Sequence, residues 1–391
     1  MARVANTLAA PEQSPEMDAL AQSILARDDL ARYLRNGDAQ TREDLRDRIR
    51  QYLEELRTTQ RYPIYRQLKH PLYPILHKID RRGEHVDIPR TWTTKGRVVY
   101  VSNHKSHTDY LVEPLVLDDN HIRPPVIAAG INLFGGPLGL LHRHVTGAIP
   151  IRRNTKDPAY LATLKAYVAE VLRRHDLFFY IEGGRSYSGE LKSPKTGLVH
   201  ACLQAQHQET VIIPVAVAYD LVLEDRILAR QGVKRKQRPF AVELAEMVAT
   251  AVGYQSRAIV TFGDAIPLAG HDPQSRRDVL ELAHTIRERI GRLHKVLPTA
   301  LVARAMRPSM PRGELVDRVA DMHAELQQRG ANVSTARPKQ LAEEGITLLA
   351  LRGVIVEERD RLRVRDRRVL RYYARTLDHL FKDPRTDDRP H

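Results

Sequence analysis

The stretch VYVSNHKSHTDYLVEPLVL, from Val99 to Leu117, decides both the fold and the chemistry predicted for this chain. It begins as an apolar, β-branched run that stops at polar residues, which is typical of a buried strand, and it ends with the composition of a helix. His104, His107 and Asp109 fall where the strand passes into the helix. This pattern predicts an α/β fold in which a strand end carries polar side chains.

The spacing of His104 and Asp109 suits a general base. An aspartate in the first helical turn can accept a hydrogen bond from one ring nitrogen, which fixes the tautomer and leaves the other nitrogen free to take a proton. In a chain with 17 histidines, about one such pairing is also expected by chance. The alternative is therefore a surface histidine near an N-capping aspartate, and His107 is a polar residue of the first turn without an assigned role.

The composition is that of a globular chain, with 42% hydrophobic and 28% charged residues among 391. The net charge of +14 predicts an anionic partner, which is a nucleic acid, an anionic membrane surface or a phosphorylated substrate. The single cysteine, Cys202, excludes an internal disulfide framework and a CxxC metal site. The N-terminal residues lack the apolar core of a secretory signal, and the run from Val126 to Leu141 is too short to cross a membrane, so we expect no transmembrane helix.

Hydrophobic periodicity divides the chain into three parts. Residues 1–88 have helical spacing and predict an N-terminal helical region. In residues 89–298, short apolar strands alternate with helical stretches, which predicts an α/β domain with a mixed or mostly parallel sheet flanked by helices. Residues 299–391 predict a small helical appendage with a possible hairpin in GVIVEERDRLRVRD and a disordered end in the charged, proline-containing KDPRTDDRPH.

Two later segments place charged residues at predicted strand ends. GAIPIRRNTK (147–156) predicts a strand that ends in Arg152 and Arg153, with Lys156 further on. An arginine can hold a phosphate through paired hydrogen bonds, although a solvated basic turn has the same composition. FYIEGGRSYSGELKSPKTGL (179–198) follows a strand with glycines that allow an anion to approach the backbone. Its candidate site residues are Glu182, Gly184, Arg185, Ser186, Lys192 and Lys195. It is not a Walker A loop, and its alternative interpretation is a glycine-rich loop with solvated charges.

A fourth segment, VIIPVAVAY (211–219), places Pro214 inside an apolar strand. A proline removes one ladder hydrogen bond, so we expect Pro214 at a sheet edge or at a bulge that lines a pocket. A purely structural use of this proline is the alternative.

In this order, NHKSHTDY, GAIPIRR, YIEGGRS and IIPVAVAY resemble the four blocks of the glycerolipid acyltransferase superfamily, whose first block carries the HX4D motif. The long third block, EGGRSYSGELKSPKTG, resembles that of the glycerol-3-phosphate and dihydroxyacetone-phosphate acyltransferases, whereas the lysophosphatidate enzymes usually read FPEGTR there. The resemblance covers about Val98 to Asp225 and extends more loosely to Phe381. Pro150 departs from it, because the second block usually has an aromatic residue at this position.

The resemblance implies a role for each candidate residue. His104 would be the general base that deprotonates the sn-1 hydroxyl of glycerol 3-phosphate, Asp109 would orient it, and Glu182 would belong to the essential site. The substrate phosphate would be bound by Arg153, Gly184, Arg185, Ser186, Lys192 and Lys195. Pro214 would lie near the acyl-donor pocket.

The implied reaction is transfer of a fatty acyl group from acyl-CoA or acyl-carrier protein to glycerol 3-phosphate, the first step of phospholipid biosynthesis. It implies no metal and no cofactor beyond this co-substrate, and a peripheral position on an anionic membrane surface at the cytoplasmic face. Dihydroxyacetone phosphate or 1-acylglycerol 3-phosphate as acceptor is the alternative within this chemistry. A basic nucleic-acid-binding protein is the alternative from another class, against which stand an aromatic content of only 6% and basic residues spread along the chain.

Overall fold

The computed structural model describes residues 15–27, 39–58, 79–131, 147–205, 209–230 and 256–381. In chain order, the strands are β1 Ile79–Glu84, β2 Arg97–Ser102, β3 Val126–Gly130, β4 Ala148–Ile151, β5 Leu177–Tyr180, β6 Thr210–Tyr219, β7 Ser256–Phe262, β8 Ile266–Pro267, β9 Ser309–Pro311, β10 Ile355–Glu358 and β11 Arg361–Val364. The helices are α1 Pro15–Leu25, α2 Ala39–Leu56, α3 Asp87–Lys95, α4 Asp109–Asp119, α5 Pro158–Arg174, α6 Gly197–Gln204, α7 Asp225–Arg230, α8 Arg276–Leu293, α9 Pro298–Ala305, α10 Arg312–Gln328, α11 Pro338–Leu351, α12 Arg367–Arg375 and α13 Asp378–Phe381.

One large sheet organises the molecule, with the strand order β1-β7-β6-β2-β5-β3-β4 and with β8 paired to β6. The neighbours β6, β2, β5, β3 and β4 run parallel. Strands β7 and β8 run antiparallel to β6, and β1 runs parallel to β7. The predicted mixed α/β fold is confirmed. Because the carboxyl ends of parallel strands share one edge of a sheet, the segments that follow β2, β4 and β5 meet there.

Helices cover both faces of this sheet. Along β2, Val99 and Val101 pack into one core cluster with α1, α2, α5, α6 and α8, whereas Val98 and Tyr100 pack into the other with α4 and α9 to α12. The alternation follows from the two-residue period of a strand. The strand that ends at Ser102 is therefore fixed from both sides, which holds the following residues in a defined place.

The core differs from the three-part division that the periodicity predicted. Strand β1 lies inside the expected helical region 1–88, yet all six of its residues pair with β7 in the main sheet. Ile24, Leu45 and Ile49 of the N-terminal helices are buried in the cluster that contains α5. Leu301 of α9 is likewise buried in the cluster on the opposite face. Both flanking regions thus share the cores of the central domain.

Residues 309–364 contain a second, three-stranded sheet with the order β10-β11-β9. Strands β10 and β11 form the antiparallel hairpin in the segment where the sequence suggested one. In the part of the chain that the structure describes, no helix combines the length and the apolar character needed to cross a membrane. Of the long uncharged run, residues 126–130 form β3, and residues 132–141 lie outside the described residues.

Pro214 lies in the interior of the sheet, which corrects the expectation of an edge strand. It is opposite Val101 of β2, and its carbonyl accepts a hydrogen bond from the N–H of Gly263 on the other side at 2.8 Å. Gly263 belongs to the turn between β7 and β8. The nitrogen of a strand residue points to the same side as its carbonyl, so the missing N–H of Pro214 faces this turn, and the ladder with β2 is unaffected.

Candidate active site

His104 and Asp109 form a buried pair at the carboxyl end of β2. Nδ1 of His104 is 2.9 Å from Oδ2 of Asp109, the first residue of α4. The same oxygen accepts hydrogen bonds from the backbone N–H groups of Lys105 at 2.7 Å and Ser106 at 2.9 Å. The hydroxyl of Tyr219 donates to Oδ1 at 2.7 Å. Because Asp109 accepts at Nδ1, this nitrogen carries the proton, and Nε2 of His104 keeps its lone pair.

The surroundings keep this imidazole neutral near pH 7. Burial lowers the pKa of His104 well below its ordinary value, and the positive charge of Arg185 lowers it further. Burial raises the pKa of Asp109 to about 6, although the hydrogen bonds from Ser106, Tyr219 and Lys105 oppose this rise. Groups this close titrate as a pair. This arrangement leaves Nε2 of His104 able to accept a proton, which is the capacity that a general base needs.

Tyr180 stacks on the ring of His104, and Glu113 holds Tyr180 in place. The rings of His104 and Tyr180 are stacked, with centroids 4.1 Å apart and an interplanar angle of 13°. The Tyr180 hydroxyl donates to Oε2 of Glu113 at 3.0 Å, and the hydroxyl of Ser102 donates to Oε1 at 2.5 Å. Burial, and then the nearby Asp109, raise the pKa of Glu113 well above its ordinary value. Sequence analysis missed both residues, although a carboxylate within the apolar run YLVEPLVL was a signal.

Glu182 joins the first block to the third. Its Oε1 accepts from the backbone N–H of His104 at 3.1 Å, and its Oε2 accepts from the N–H of Lys192 at 3.3 Å. The carboxyl is buried, and burial raises its pKa while Lys105 and Lys192 oppose the rise. These contacts are those of a residue that positions the backbone of His104.

Cationic side chains gather over the third-block loop. A Cβ atom at Gly184 would lie 3.3 Å from Nη1 of Arg153 and 4.0 Å from Nζ of Lys192, so the glycine leaves room for both. Nζ of Lys192 donates to the carbonyls of Gly184 at 2.8 Å and Arg185 at 3.1 Å. The aliphatic part of Lys195 packs against Gly183. These predicted phosphate-binding residues therefore converge on one loop beside His104.

Ser186, a predicted phosphate-binding residue, and Arg152, the neighbour of Arg153, bind other partners. The hydroxyl of Ser186 donates to the carbonyl of Glu190 at 2.7 Å, and its N–H donates to the carbonyl of His104 at 2.9 Å, so Ser186 links the loop to the backbone of His104. The guanidinium of Arg152 is bound to Glu55 at 2.7 and 2.5 Å. Of the two consecutive arginines, Arg153 is the one beside the third-block loop.

Glu224 is a further residue that sequence analysis missed. Its carboxylate accepts from the N–H of His107 at 2.6 Å and from the hydroxyl of Ser106 at 2.9 Å. Its Oε1 lies 3.7 Å from Nη1 of Arg185, and the two side chains are exposed by 0% and 3%. Glu224 thus links the first-block turn to the arginine of the third block and gives His107 a backbone role. No sequence signal marked this contact, because Ser106 and Glu224 are 118 positions apart.

Helix α12, in the predicted C-terminal appendage, contacts the third-block loop. A Cβ atom at Gly189, whose φ is +87°, would collide with the carbonyl of Tyr372. Arg375 forms an ion pair with Glu190 at 2.5 Å. From the first block, Nζ of Lys105 donates to the carbonyl of Gly189 at 2.6 Å. The region predicted to be an appendage therefore contributes to the shape of the site.

A polar cleft of ≈ 390 Å³ opens beside this loop. Its walls include Glu182, Lys192, Lys195, Arg287, Asp378 and His379. Cys202, in contrast, is buried in α6, and burial raises the pKa of its thiol, which leaves it protonated and unsuited to act as a nucleophile.

Comparison with known proteins places this geometry in context. Residues 83–218 match the family model described as Acyltransferase. The glycerol-3-phosphate acyltransferase of Haemophilus influenzae (strain PittEE) is 30% identical over 325 residues, which cover 73% of this chain and 40% of that protein. The glycerol-3-phosphate acyltransferase of Actinobacillus succinogenes is 29% identical over 389 residues, which cover 89% of this chain and 47% of that protein. The chain spans less than half the length of these relatives.

A shorter match is closer in sequence. The glycerol-3-phosphate acyltransferase of Histophilus somni is 41% identical over 140 residues, which cover 34% of this chain and 17% of that protein. Among solved structures, the 1-acyl-sn-glycerophosphate acyltransferase PlsC from Thermotoga maritima overlaps with a TM-score of 0.34 at 12% identity, over 70% of this chain and 85% of that one.

Proposed function

Because the chain belongs to the glycerolipid acyltransferase superfamily, we propose that it transfers a fatty acyl group from an acyl thioester to the sn-1 hydroxyl of glycerol 3-phosphate. The observation that carries the proposal is the buried, aspartate-bound His104, whose pKa is lowered by burial and by the nearby positive charges of Arg185, Arg153 and Lys192. A base with cationic side chains nearby suits a small acceptor with a phosphate at one end and a hydroxyl at the other. The names of the relatives support glycerol 3-phosphate as this acceptor.

The proposed reaction is a direct acyl transfer. The acceptor oxygen attacks the thioester carbonyl as Nε2 of His104 takes its proton, and Asp109 stabilises the imidazolium that forms. The tetrahedral intermediate then collapses, the carbon–sulfur bond breaks, and the thiolate leaves and takes up the proton. No acyl-enzyme intermediate is needed, and neither a metal nor a cofactor other than the acyl donor takes part. The donor is acyl-CoA or acyl-carrier protein.

Arg185→Ala is expected to weaken the binding of the acceptor, glycerol 3-phosphate. A charge-assisted hydrogen bond to phosphate contributes about 1.5 to 3 kcal/mol, so the KM for glycerol 3-phosphate should rise at least ~10-fold while the KM for the acyl donor changes little. Initial rates with each substrate varied in turn measure both constants. Arg152→Ala is the matched control, because this neighbour of Arg153 is bound to Glu55 outside the loop. Equal increases in both KM values for Arg185→Ala would contradict a phosphate-binding role.

Both alternative acceptors also carry a phosphate, so an activity assay is needed to distinguish them from glycerol 3-phosphate. Dihydroxyacetone phosphate has a carbonyl where glycerol 3-phosphate has its sn-2 hydroxyl, and 1-acylglycerol 3-phosphate already carries an acyl chain. With one acyl donor, we expect kcat/KM to be highest for glycerol 3-phosphate. A higher value for either alternative would replace the proposed acceptor and leave the chemistry unchanged.

We also propose that the protein acts at the cytoplasmic face of the membrane, bound peripherally to anionic lipid. The net charge of +14 supports this, since each basic side chain near an anionic surface contributes about 1 kcal/mol. Flotation with vesicles should recover the protein with phosphatidylglycerol-containing lipid at low salt and release it at high salt. Equal recovery with neutral vesicles would contradict an electrostatic contact.

A further inference from the structure

A second, larger cleft lies away from His104, along helix α6. Its volume is ≈ 900 Å³, within the range of ~300 to 1,000 Å³ typical of ligand sites. Thr196, His200 and Gln204 line it from one face of α6, because residues four apart in a helix share a face. We call it the α6 cleft.

The walls of the α6 cleft are suited to an anion. Arg27, Lys165 and Arg276 contribute three basic side chains from separate parts of the chain. Within the described part of the structure, no carboxylate lines the cleft. A concave lining whose charged side chains are all positive attracts a ligand that carries more than one negative charge.

Two of the residues that line this cleft also carry a buried polar atom. Nε2 of His200 and Oε1 of Gln204 have no hydrogen-bond partner among the described residues. Buried polar atoms are almost always paired with protein, water or a ligand. Burial, and then the charge of Lys165, lower the pKa of His200, so its ring is neutral near pH 7. A neutral imidazole and an amide can recognise the polar edge of a heterocycle.

The α6 cleft also has an apolar wall, and it adjoins the active site. Val279 is buried, and Leu280 is exposed by 46%, so the cleft offers apolar surface to a flat ring. Thr196, which lines the α6 cleft, directly follows Lys195, which lines the cleft beside the third-block loop and whose N–H donates to the carbonyl of Ile181 at 2.7 Å. A ligand in the α6 cleft could therefore extend a flexible arm past Lys195 towards the third-block loop.

We propose that the α6 cleft binds the nucleotide of acyl-CoA, with its phosphates at Arg27, Lys165 and Arg276 and its adenine against Val279 and Leu280. This inference rests on the proposed function, because the pantetheine arm would carry the thioester to His104. A concave cleft of this volume suits a nucleotide better than it suits the folded surface of an acyl-carrier protein.

The test measures binding of adenosine 3′,5′-bisphosphate to the full chain by isothermal titration calorimetry. Arg276→Glu is expected to weaken binding at least about tenfold, as loss of one charge-assisted contact does. Arg276 is the first residue of α8, where a glutamate suits the helix dipole, so the variant should fold. Arg277→Glu is the matched control, since Arg277 is 87% exposed and paired with Glu281 outside the cleft. The Kd of the Arg277→Glu variant for adenosine 3′,5′-bisphosphate should lie within about twofold of that of the unmodified chain.

Kinetics give the second readout. Arg276→Glu should raise the KM for palmitoyl-CoA about tenfold and leave the KM for glycerol 3-phosphate unchanged. Equal nucleotide binding by the Arg276 and Arg277 variants would overturn the proposal, as would inorganic phosphate binding as tightly as the nucleotide. A raised KM for palmitoyl-acyl-carrier protein with nucleotide binding unaffected would assign the cleft to the carrier protein and also overturn it.

The two proposals fail separately. Nucleotide binding that depends on Arg276, in a chain that acylates no acceptor, would support the α6 cleft and contradict the proposed reaction. Acylation of glycerol 3-phosphate from palmitoyl-CoA with a normal KM in Arg276→Glu would support the reaction and contradict the cleft assignment.

Discussion

Replacing His104 by alanine is expected to lower kcat for acyl transfer by about 100- to 10,000-fold, the usual contribution of a general base. Nε2 of His104 is the nitrogen left to accept the proton, because Nδ1 is bound to Asp109. The acceptor hydroxyl would have to lose its proton to water instead. Steady-state rates at saturating substrate measure the loss, and thermal unfolding shows that the variant is folded.

His107→Ala is the control for this experiment. The contact of His107 with Glu224 is made by its backbone N–H, which alanine retains. We therefore expect a loss of less than about tenfold, below the range of general-base catalysis. Similar rates for the His104 and His107 variants would contradict the assignment of His104 as the base.

Asp109→Asn is expected to lower kcat by about 100-fold or more. An asparagine can keep an oxygen towards Nδ1 of His104, but it is neutral and cannot stabilise the imidazolium of the transition state. Tyr219 can accept from the new amide, since its hydroxyl both donates and accepts, so the variant should fold. Asp109→Glu restores the charge on a longer side chain, and its kcat should remain below that of the native chain.

The pH profile distinguishes this electrostatic role from a structural one. In the native chain, the pKa of Asp109 is raised to about 6, so kcat/KM should fall as the pH drops through this region and the pair takes up a proton. Asp109→Asn removes the carboxylate that favours proton uptake, and burial already lowers the pKa of His104. In the Asp109→Asn variant, the pH at which kcat/KM falls on the acid side of the profile should therefore be lower than in the native chain. An unchanged acid side of the profile with a reduced rate would indicate a structural role alone.

The sequence predicted the parts of the site that depend on local geometry. His104 and Asp109 are five positions apart across a strand-to-helix junction, so their contact depends on the local backbone alone. Arg153 and the third-block loop could be placed because they follow parallel strands, whose carboxyl ends share one edge.

Contacts between distant segments could not be predicted from one sequence. The carboxylate of Glu224 reaches His107 across 117 positions, and only the packed fold shows that the two meet. Strand β1, IDRRGE, has no apolar alternation, because it lies at the sheet edge, where charged residues are common. Periodicity predicted the N-terminal helices, but it could not show that they pack against α5.

The most direct measurement of the central claim is the product formed by the purified chain from labelled glycerol 3-phosphate, with palmitoyl-CoA and palmitoyl-acyl-carrier protein supplied in parallel. We predict labelled 1-palmitoylglycerol 3-phosphate with at least one donor, formed by the native chain and reduced about 100-fold or more in His104→Ala. A folded native chain that yields no labelled product with either donor, or a His104→Ala variant that yields product at the native rate, would contradict it.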